Sequence, residues 1–457
     1  MGKLGELLSH PDEFMPLFRM YRAAKRAAKL PQDPDLAFCY GMLNDVSRSF
    51  AIVIQQLPNP LRDAICVFYL VLRGLDTVED DMALQVDFKV PELKRFHERI
   101  YDRGFTMACG YNHYKRLMAQ FGTVVSVFLQ LEPAHQRVIA DITRRMGHGM
   151  ADFIEKEVVT VADYDLYCHY VAGLVGIGLS QLFAASGLES PGMAVAEDLS
   201  NHMGLFLQKT NIIRDYLEDI MEEPAPRMFW PREIWGRYGA TLADFKEPAN
   251  RQRAVQCLNH MITDALRHVP YCMQYMEQLR HVMVFRFCAI PQIMAIGTLA
   301  ICYNNGKLFE GVVKMRRGET ATVFETCNHL GDVYSWFLKY LDVLEAKVAG
   351  QVAADDPSLP ETRQAVSSAK QLIGKSLAEW RAAHPPAPDS FLALARDWAA
   401  LLLACAYAYA VWGLGALPEA LAPHAWLLQQ QAALQRAVSV VLLLVAFVAV
   451  VGARRGA

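Results

Sequence analysis

The chain has 457 residues, of which 53% are hydrophobic and 20% are charged, and its formal net charge is −3. This length suits one large domain or two. It contains no basic run and no basic stripe with interleaved aromatic residues, so nothing indicates that it binds nucleic acid. None of its ten cysteines forms a CxxC pair, which predicts reduced core cysteines in a cytosol-facing domain rather than a disulfide framework.

The first polar pattern in an apolar stretch lies at residues 47–50, Ser-Arg-Ser-Phe. It follows a charged region, 1–35, that we expect to form a surface helix and a loop. Arg48 between two hydroxyls suits a phosphate, because guanidinium and hydroxyl groups donate hydrogen bonds to phosphate oxygens. A solvated helix edge accounts for the same residues, so this pattern leaves both interpretations open.

A first acidic motif ends the next predicted helix, which begins at residue 61 after Pro58 and Pro60. Residues 76–80 read Asp-Thr-Val-Glu-Asp, and Arg73 precedes them. The spacing i, i+3, i+4 places Asp76, Glu79 and Asp80 on one face of a helix.

Residues 163–187 predict an apolar helix that lines a cavity. Asp163 is its predicted cap, and Tyr167 and Tyr170 are expected at the rim of the cavity. Three glycines, at 173, 176 and 178, follow. A glycine inside a helix costs about 1 kcal/mol relative to alanine, so we expect a neighbouring backbone or a bulky ligand to lie close to this segment.

A second acidic motif lies in residues 205–220, which have a helical apolar period and contain no proline or glycine. Asp215, Glu218 and Asp219 repeat the spacing of the first motif, and Arg214 precedes them. Gln208 and Asn211 extend the same stripe toward the N-terminus. The sequence therefore predicts one helix with a continuous polar face.

The two motifs together predict a divalent-cation site. Like charges at i and i+4 destabilise an isolated helix, and Mg²⁺ prefers carboxylate and phosphate oxygens as ligands. Two facing acidic helices would hold several Mg²⁺ ions, which would in turn hold a diphosphate. The alternative is a pair of ordinary amphipathic helices with solvated acidic edges, and the repetition of the triad argues against it.

A basic cluster, Lys314, Arg316 and Arg317, is the only one close to the apolar core. A solvated helix end is its alternative interpretation. No GxGxxG pattern is present, so a Rossmann site is excluded as the way in which a nucleotide cofactor binds.

The apolar runs are long and helical in period, with few alternating segments, and they predict an all-α fold. We expect three parts: a catalytic domain over 1–350, a linker with a lone amphipathic helix over 351–390, and a membrane anchor over 391–457. Residues 398–417 and 437–453 are apolar enough to be transmembrane segments, as a hairpin or with the second alone as the anchor. The arginines that flank this pair predict a cytosolic catalytic domain.

These motifs resemble those of the squalene synthase family. The resemblance runs from about residue 35 to residue 330 and includes 47–50, 76–80, 167–176, 208–219, 287–292 and 313–318. It implies an isoprenoid-synthase helical bundle around a deep apolar cavity. It also implies Mg²⁺ (with Mn²⁺ as a substitute) and NADPH or NADH as cofactors. Two molecules of farnesyl diphosphate would join to presqualene diphosphate, which is then reduced to squalene, the first committed step of sterol biosynthesis.

The resemblance also implies a role for each matching residue. The implied catalytic residues are Tyr167, Arg73, Phe50 and Phe287. The implied substrate contacts are Ser47, Arg48, Phe68, Tyr69, Arg73, Gln208 and Arg214. The implied metal-binding residues are Asp76, Glu79, Asp80, Asn211, Asp215, Glu218 and Asp219. The implied cofactor contacts are Lys314, Arg316 and Arg317.

Two competing functions remain at this point. A phytoene or dehydrosqualene synthase shares the first condensation but does not use NADPH, and the basic cluster and the C-terminal anchor favour squalene synthase over it. A membrane-tethered scaffold without activity is disfavoured because all six motif carboxylates are present. The resemblance further implies a monomeric catalytic domain, farnesyl diphosphate and the lipid bilayer as partners, and an endoplasmic reticulum location.

Overall fold

The computed structural model of the chain describes residues 9–27, 29–47, 49–223 and 226–385. Within these residues every regular element is helical and no β-strand occurs, which confirms the all-α prediction. The α-helices are, in chain order, α1 (Phe14–Ala27), α2 (Pro34–Ser47), α3 (Ser49–Ile54), α4 (Leu61–Asp80), α5 (Val86–Arg99), α6 (Asn112–Ala119), α7 (Phe121–Phe128), α8 (Pro133–Phe153), α9 (Val161–Cys168), α10 (Leu174–Ala185), α11 (Glu197–Arg214), α12 (Tyr216–Ile220), α13 (Arg232–Trp235), α14 (Arg251–Leu266), α15 (Val269–Met276), α16 (Val282–Cys302), α17 (Arg317–Thr326), α18 (Leu330–Gly350) and α19 (Leu359–Ala383).

The chain divides into two compact units. The larger consists of Met20–Arg316 and Val323–Trp380, and the smaller of Met1–Arg19, Arg317–Thr322 and Arg381–Ala457. In the smaller unit, Gly318 lies against the side chain of Glu13. Both acidic motifs belong to the larger unit, so the candidate site can be described within it.

The core of the larger unit is built from long apolar helices. α4, α8, α10, α11 and α16 all contribute fully buried side chains to one continuous apolar cluster. The same five helices supply most of the residues that line an elongated cavity. Their apolar faces therefore form both the hydrophobic core and the walls of the cavity.

The segment from 160 to 185 differs in two details from the sequence prediction. Thr160, not Asp163, is the N-cap residue: its hydroxyl accepts from the Asp163 N–H at 3.0 Å, and the Asp163 carboxylate accepts from the Thr160 N–H at 3.0 Å. A π-helical turn, His169–Gly173, separates α9 from α10. Such a turn inserts an extra residue and is frequent near functional sites.

Two glycines allow α11 to pack closely against α10 and against the π-helical turn that precedes it. A Cβ on Gly176 would lie 2.3 Å from the Ser200 carbonyl oxygen, and one on Gly204 would lie 2.2 Å from the Ala172 carbonyl oxygen. The prediction that a neighbouring backbone lies close to the glycine-containing segment is confirmed here.

The second acidic motif is not one unbroken helix. α11 ends at Arg214 and α12 begins at Tyr216, with Asp215 between them at φ −91° and ψ 11°. The hydrogen bonds from the Asp215 N–H to Asn211 and from the Asp219 N–H to the Asp215 carbonyl persist, at 2.9 and 3.0 Å. The polar stripe therefore bends at Asp215 but is not interrupted.

Helix α19 packs on the larger unit, which corrects the expectation that 351–390 is a linker with a lone helix. One face of α19 is buried, with Val366 and Ile373 at its centre. The Lys370 ammonium lies 2.7 Å from Asp342 and 2.5 Å from Glu345 of α18. Its amphipathic pattern is therefore that of a docked helix.

The predicted transmembrane segments, 398–417 and 437–453, lie outside the described residues. Among the described residues, Val161–Ala185 and Val282–Cys302 are long and apolar enough to cross a membrane. Both of these helical segments line the cavity, so their apolar character is that of core helices. The nine described cysteines are all buried and unpaired, as predicted, and Cys405 lies outside the described residues.

Candidate active site

The cavity of the larger unit has a volume of about 270 Å³ and joins a polar mouth to a long apolar body. Arg73 and Asp76 of the first motif and Gln208 and Asn211 of the second line the mouth. The remaining wall is largely apolar and aromatic. Such a site suits a ligand with a charged head and a long hydrocarbon chain.

The first motif is paired with arginines. Glu79 is buried, at 6% exposure, and the Arg227 guanidinium lies 2.5 Å from its Oε1. Arg227 also forms an ion pair with Asp80. The Arg73 guanidinium lies 3.4 Å from Asp76 Oδ2 and over the rings of Tyr69 and Tyr114.

The second motif is paired in the same way. Arg214 makes a bidentate contact with Asp215, through Nε at 2.7 Å and Nη2 at 2.5 Å. Glu218 and Asn211 are exposed, and Asp219 is partly buried. Arg73 and Arg214, which the resemblance implied, and Arg227, which it did not, therefore each contact a motif carboxylate.

Burial and crowding make negative charge unfavourable at the motif acids. Burial, reinforced by Asp80 and Glu79, raises the pKa of Asp76 to about 7. Burial, reinforced by Asp215 and its acidic neighbours, raises the pKa of Asp219 to about 7. Burial also raises the pKa of Glu79. A bound cation would relieve this repulsion and lower these pKa values.

These residues fit Mg²⁺ in chemical type. Their donor atoms are carboxylate and amide oxygens, which are hard ligands of the kind Mg²⁺ prefers. Among the described residues, no three histidine, cysteine or acidic side chains are close enough to form a complete metal site. In proteins Mg²⁺ usually takes one or two carboxylates and completes its shell with water and substrate phosphates.

Arg227 joins the two motifs, and sequence analysis did not identify it. Its N–H donates to the Asp219 carbonyl at 3.1 Å, while its guanidinium reaches the first motif. The connector that follows is anchored, since Trp230 is buried and donates from Nε1 to the Ile212 carbonyl at 3.1 Å. The signal in the sequence was a single arginine between the end of the second motif and an aromatic pair.

Tyr167 is buried beside this connector. Its ring stacks on Phe229 at 3.9 Å and packs at 5.4 Å against Phe153. Burial, reinforced by the nearby Glu79 charge, raises the pKa of Tyr167 well above its usual value. The phenol is therefore protonated at neutral pH. Neither Tyr167 nor Tyr170 lines the described cavity.

Four of the aromatic residues to which the resemblance gave catalytic or substrate-binding roles line the cavity: Phe50, Phe68, Tyr69 and Phe287. Phe68 is fully buried, Phe287 packs edge to face on Phe183 at 6.0 Å, and Phe50 lies 6.5 Å from the ring of Tyr69. These four residues thus supply aromatic rings to the wall of the cavity. Aromatic faces attract cations, so this wall suits an intermediate that carries positive charge.

Ser47 and Arg48 cannot be assigned to the cavity. Ser47 is buried, its hydroxyl donates to the Leu43 carbonyl at 2.6 Å, and it does not line the cavity. Arg48 lies outside the described residues.

A second, smaller cavity of about 150 Å³ adjoins the first and shares Phe50 and Asn211 with it. Arg214 and Thr298 also line it. The neighbouring segment carries the basic cluster: Met315 is buried against Gly297, while Lys314 is exposed and Arg316 partly exposed. Arg317 begins α17 and belongs to the smaller unit.

Comparison with known proteins agrees with this geometry. The squalene/phytoene synthase family model matches residues 43–319. Squalene synthase LSS from Botryococcus braunii is 54% identical over 423 residues, which cover 92% of this chain and 90% of that protein. Squalene synthase 1 from Arabidopsis thaliana is 55% identical over 375 residues, covering 81% and 90%. The solved structure of TcSQS with the ligand BPH1237 superposes with a TM-score of 0.73 at 47% identity, covering 75% of this chain and 99% of that one. The chain therefore belongs to the squalene/phytoene synthase family and, within it, to the squalene synthases.

Proposed function

We propose that this chain joins two molecules of farnesyl diphosphate and reduces the product to squalene. In the first step one diphosphate leaves, C1 of that farnesyl group bonds to the double bond of the other, and loss of a proton closes a cyclopropane. In the second step the remaining diphosphate leaves, the carbon skeleton rearranges, and a hydride completes squalene. The observation that supports this best is a largely apolar cavity whose lining also includes Arg73, Asp76, Gln208 and Asn211 of the two motifs.

The mouth would bind the diphosphate groups. Bound Mg²⁺ supplies positive charge that stabilises the departing diphosphate oxygens. Asp76, Glu79, Asp80, Asn211, Asp215, Glu218 and Asp219 would hold the metal ions. Arg73, Arg214 and Arg227 pair with these acids in the described structure, so metal binding would free their guanidinium groups to contact the diphosphate.

The apolar wall would hold the farnesyl chains and exclude water. Phe68 and Phe287 are nearly fully buried, and with Phe50 and Tyr69 they line the cavity. A carbocation formed there would meet ring faces and not water, which would otherwise capture it.

Tyr167 would handle the proton of the first step. Because burial keeps its phenol protonated, it can accept a proton only while it passes its own proton to a second acceptor. The departing diphosphate is an acceptor that the reaction itself provides. Tyr167 would therefore relay the proton, with its ring held by Phe229 and Phe153.

NADPH would supply the hydride of the second step, and NADH is the alternative donor. Lys314 and Arg316 suit the phosphates of such a cofactor, because both side chains are positively charged and carry hydrogen-bond donors. They lie next to Met315, which packs beside the wall of the second cavity. Arg317 is a third candidate contact.

The remaining proposals concern the whole protein. We expect a monomeric catalytic domain that includes the docked helix α19, and an anchor over 391–457 that fixes the protein to the endoplasmic reticulum membrane with the catalytic domain in the cytosol. Squalene could then pass from the apolar cavity into the bilayer. Truncation after Pro385 should yield an active enzyme that no longer sediments with membranes.

Product analysis tests the proposed reaction. The purified enzyme with farnesyl diphosphate and Mg²⁺ should give presqualene diphosphate without NADPH and squalene with it. A C30 hydrocarbon that forms equally well without NADPH would indicate a dehydrosqualene synthase. No diphosphate release under either condition would indicate a scaffold without activity.

A further inference from the structure

The end of the cavity far from the acidic motifs is closed by Tyr275. Along α4 the lining residues run from Asp76 at the mouth to Ile65, roughly 16 Å at about 1.5 Å per residue. Leu179 of α10 and Met203 of α11 line the same deep region, and Tyr275 of α15 completes it. The Tyr275 side chain is 2% exposed, so the ring forms a wall and not a flexible surface group.

The Tyr275 ring is held by a chain of hydroxyl groups. Its hydroxyl lies 2.7 Å from Ser180 Oγ, and Ser180 Oγ lies 2.8 Å from Ser200 Oγ. Ser200 donates to the Ala196 carbonyl at 2.7 Å. Ser180 Oγ also donates to the Gly176 carbonyl at 2.9 Å, so its oxygen can accept the hydrogen bond from the Tyr275 hydroxyl.

The close contact of α10 and α11 fixes this chain in place. Gly176 of α10 lies against the Ser200 carbonyl of α11, and Gly204 of α11 lies against the Ala172 carbonyl of the π-helical turn that leads into α10, so neither position has room for a Cβ. Ser180 and Ser200, each one turn beyond those glycines, consequently meet at hydrogen-bond distance. A displaced Tyr275 would lose the hydrogen bond of its buried hydroxyl to Ser180, which is costly in an apolar region.

We propose that Tyr275, positioned by Ser180 and Ser200, sets the greatest length of prenyl chain that the cavity accepts. This inference rests on the proposed function, because it assumes that the chain of a prenyl diphosphate extends from the mouth toward α15. A farnesyl chain ends before the ring. A geranylgeranyl chain, longer by one isoprene unit, would have to displace it, and a close-packed interior resists such displacement.

A competition assay tests the inference. The full-length enzyme receives equal amounts of farnesyl and geranylgeranyl diphosphate with Mg²⁺, and the chain lengths of the condensation products are determined by mass. Wild type should incorporate farnesyl groups only. Tyr275→Ala should raise the relative kcat/KM for geranylgeranyl diphosphate at least about tenfold, since the size of an apolar pocket discriminates by such factors for small differences in chain length.

Conservative variants separate the effect of the Tyr275 ring from the effect of its hydrogen bond to Ser180. Tyr275→Phe keeps the ring and loses the hydroxyl, and Ser180→Ala removes the acceptor, so both should give the same smaller rise. Tyr271→Ala is the matched control: Tyr271 lies one turn earlier on α15, is 39% exposed, and stacks on His202 outside the cavity. It should leave the selectivity unchanged.

The outcomes distinguish this inference from the proposed function. Wild type that releases no diphosphate from farnesyl diphosphate would overturn the proposed function. Normal condensation in wild type, with unchanged selectivity in a folded Tyr275→Ala, would overturn the length limit alone. If Tyr275→Ala does not fold, Tyr275→Leu decides the question, because its smaller side chain should also admit the longer substrate.

Discussion

The backbone N–H of Arg227 donates to the carbonyl of Asp219 at 3.1 Å, while the Arg227 guanidinium contacts Glu79 and Asp80. One residue thus joins the second acidic motif to the first. The two motifs are 139 residues apart when measured from Asp80 to Asp219. Their relative position therefore depends on a buried ion pair as well as on helix packing.

Arg227→Gln should lower both stability and activity. In metal-free buffer the substitution leaves the buried Glu79 carboxylate without its guanidinium partner. Removing one member of a buried ion pair lowers the free energy of unfolding by about 3–5 kcal/mol. If Arg227 also contacts diphosphate, kcat/KM should fall by about 10²-fold or more. Urea unfolding and steady-state kinetics measure the two effects. Arg237→Gln, an exposed arginine in the same region, is the control.

A double variant tests the cause of that instability. Glu79→Gln together with Arg227→Gln removes both charges, so it should recover a large part of the stability lost in Arg227→Gln alone. A double variant no more stable than Arg227→Gln would contradict the ion pair as the source of the loss.

The features of the site that depend only on local helical periodicity could be predicted from the sequence. The spacing of Asp76, Glu79 and Asp80 placed them on one helix face, since that geometry is fixed by the helix itself. Arg227 was missed because its contact with Glu79 depends on where the chain returns after the second motif. The docking of α19 was missed for a similar reason: an amphipathic pattern identifies a buried face but not the surface that covers it.

Asp80→Asn and Asp219→Asn should each abolish both half-reactions, or lower them by at least about 10²–10³-fold. Each change removes a charged oxygen ligand from the metal and diphosphate site. Diphosphate release and squalene formation, assayed separately, measure the two steps. Asp87→Asn, at an exposed position of α5, is the matched control. Near-normal turnover in either motif variant would place the metal site elsewhere.

Lys314→Ala combined with Arg316→Ala should affect the second step only. Each charged hydrogen bond to a cofactor phosphate is worth about 1.5–3 kcal/mol, so the KM for NADPH should rise by at least about tenfold. Presqualene diphosphate should accumulate even when NADPH is present. Lys307→Ala, an exposed lysine nearby, should behave as wild type. An equal loss of the first step would show that the cluster supports the fold or the diphosphate site instead.

Tyr167→Phe should slow the first step by about 10²-fold, the usual size of a lost acid–base contribution. The ring and its stacking on Phe229 remain, so farnesyl diphosphate should still bind. Single-turnover formation of presqualene diphosphate measures the step directly. Tyr170→Phe, on the π-helical turn that follows, is the control. A first step at the wild-type rate would leave Tyr167 with a packing role alone.

The hydrogen-bonded pair of His202, which is partly buried, and His268, which is buried, should make the stability of the fold depend on pH. Their Nδ1 atoms lie 2.7 Å apart, so one must donate and the other accept, which requires at least one neutral ring. Burial, reinforced by the nearby Lys209, Arg267 and His202 charges, lowers the pKa of His268 well below its ordinary 6.5. Burial likewise lowers the pKa of His202.

The sign of this dependence follows from proton uptake. Below about pH 6.5 the unfolded chain binds protons at these histidines while the folded chain does not, so stability falls as the pH drops below that value. Above pH 6.5 the contribution is constant. Each histidine adds at most about 1.4 kcal/mol per pH unit to the slope.

Urea unfolding of the detergent-solubilised enzyme between pH 5 and pH 8 measures this slope. His268→Gln keeps a side-chain donor toward His202 and cannot be protonated, so it should unfold with a shallower pH dependence than wild type below pH 6.5. His113→Gln replaces a histidine whose side chain is 59% exposed, so it should retain the wild-type slope. A slope unchanged in His268→Gln would show that His268 takes up its proton in the folded state. His268 would then be a charged ring that donates from Nδ1 to a neutral His202, and burial beside Lys209 and Arg267 would not be enough to keep it neutral.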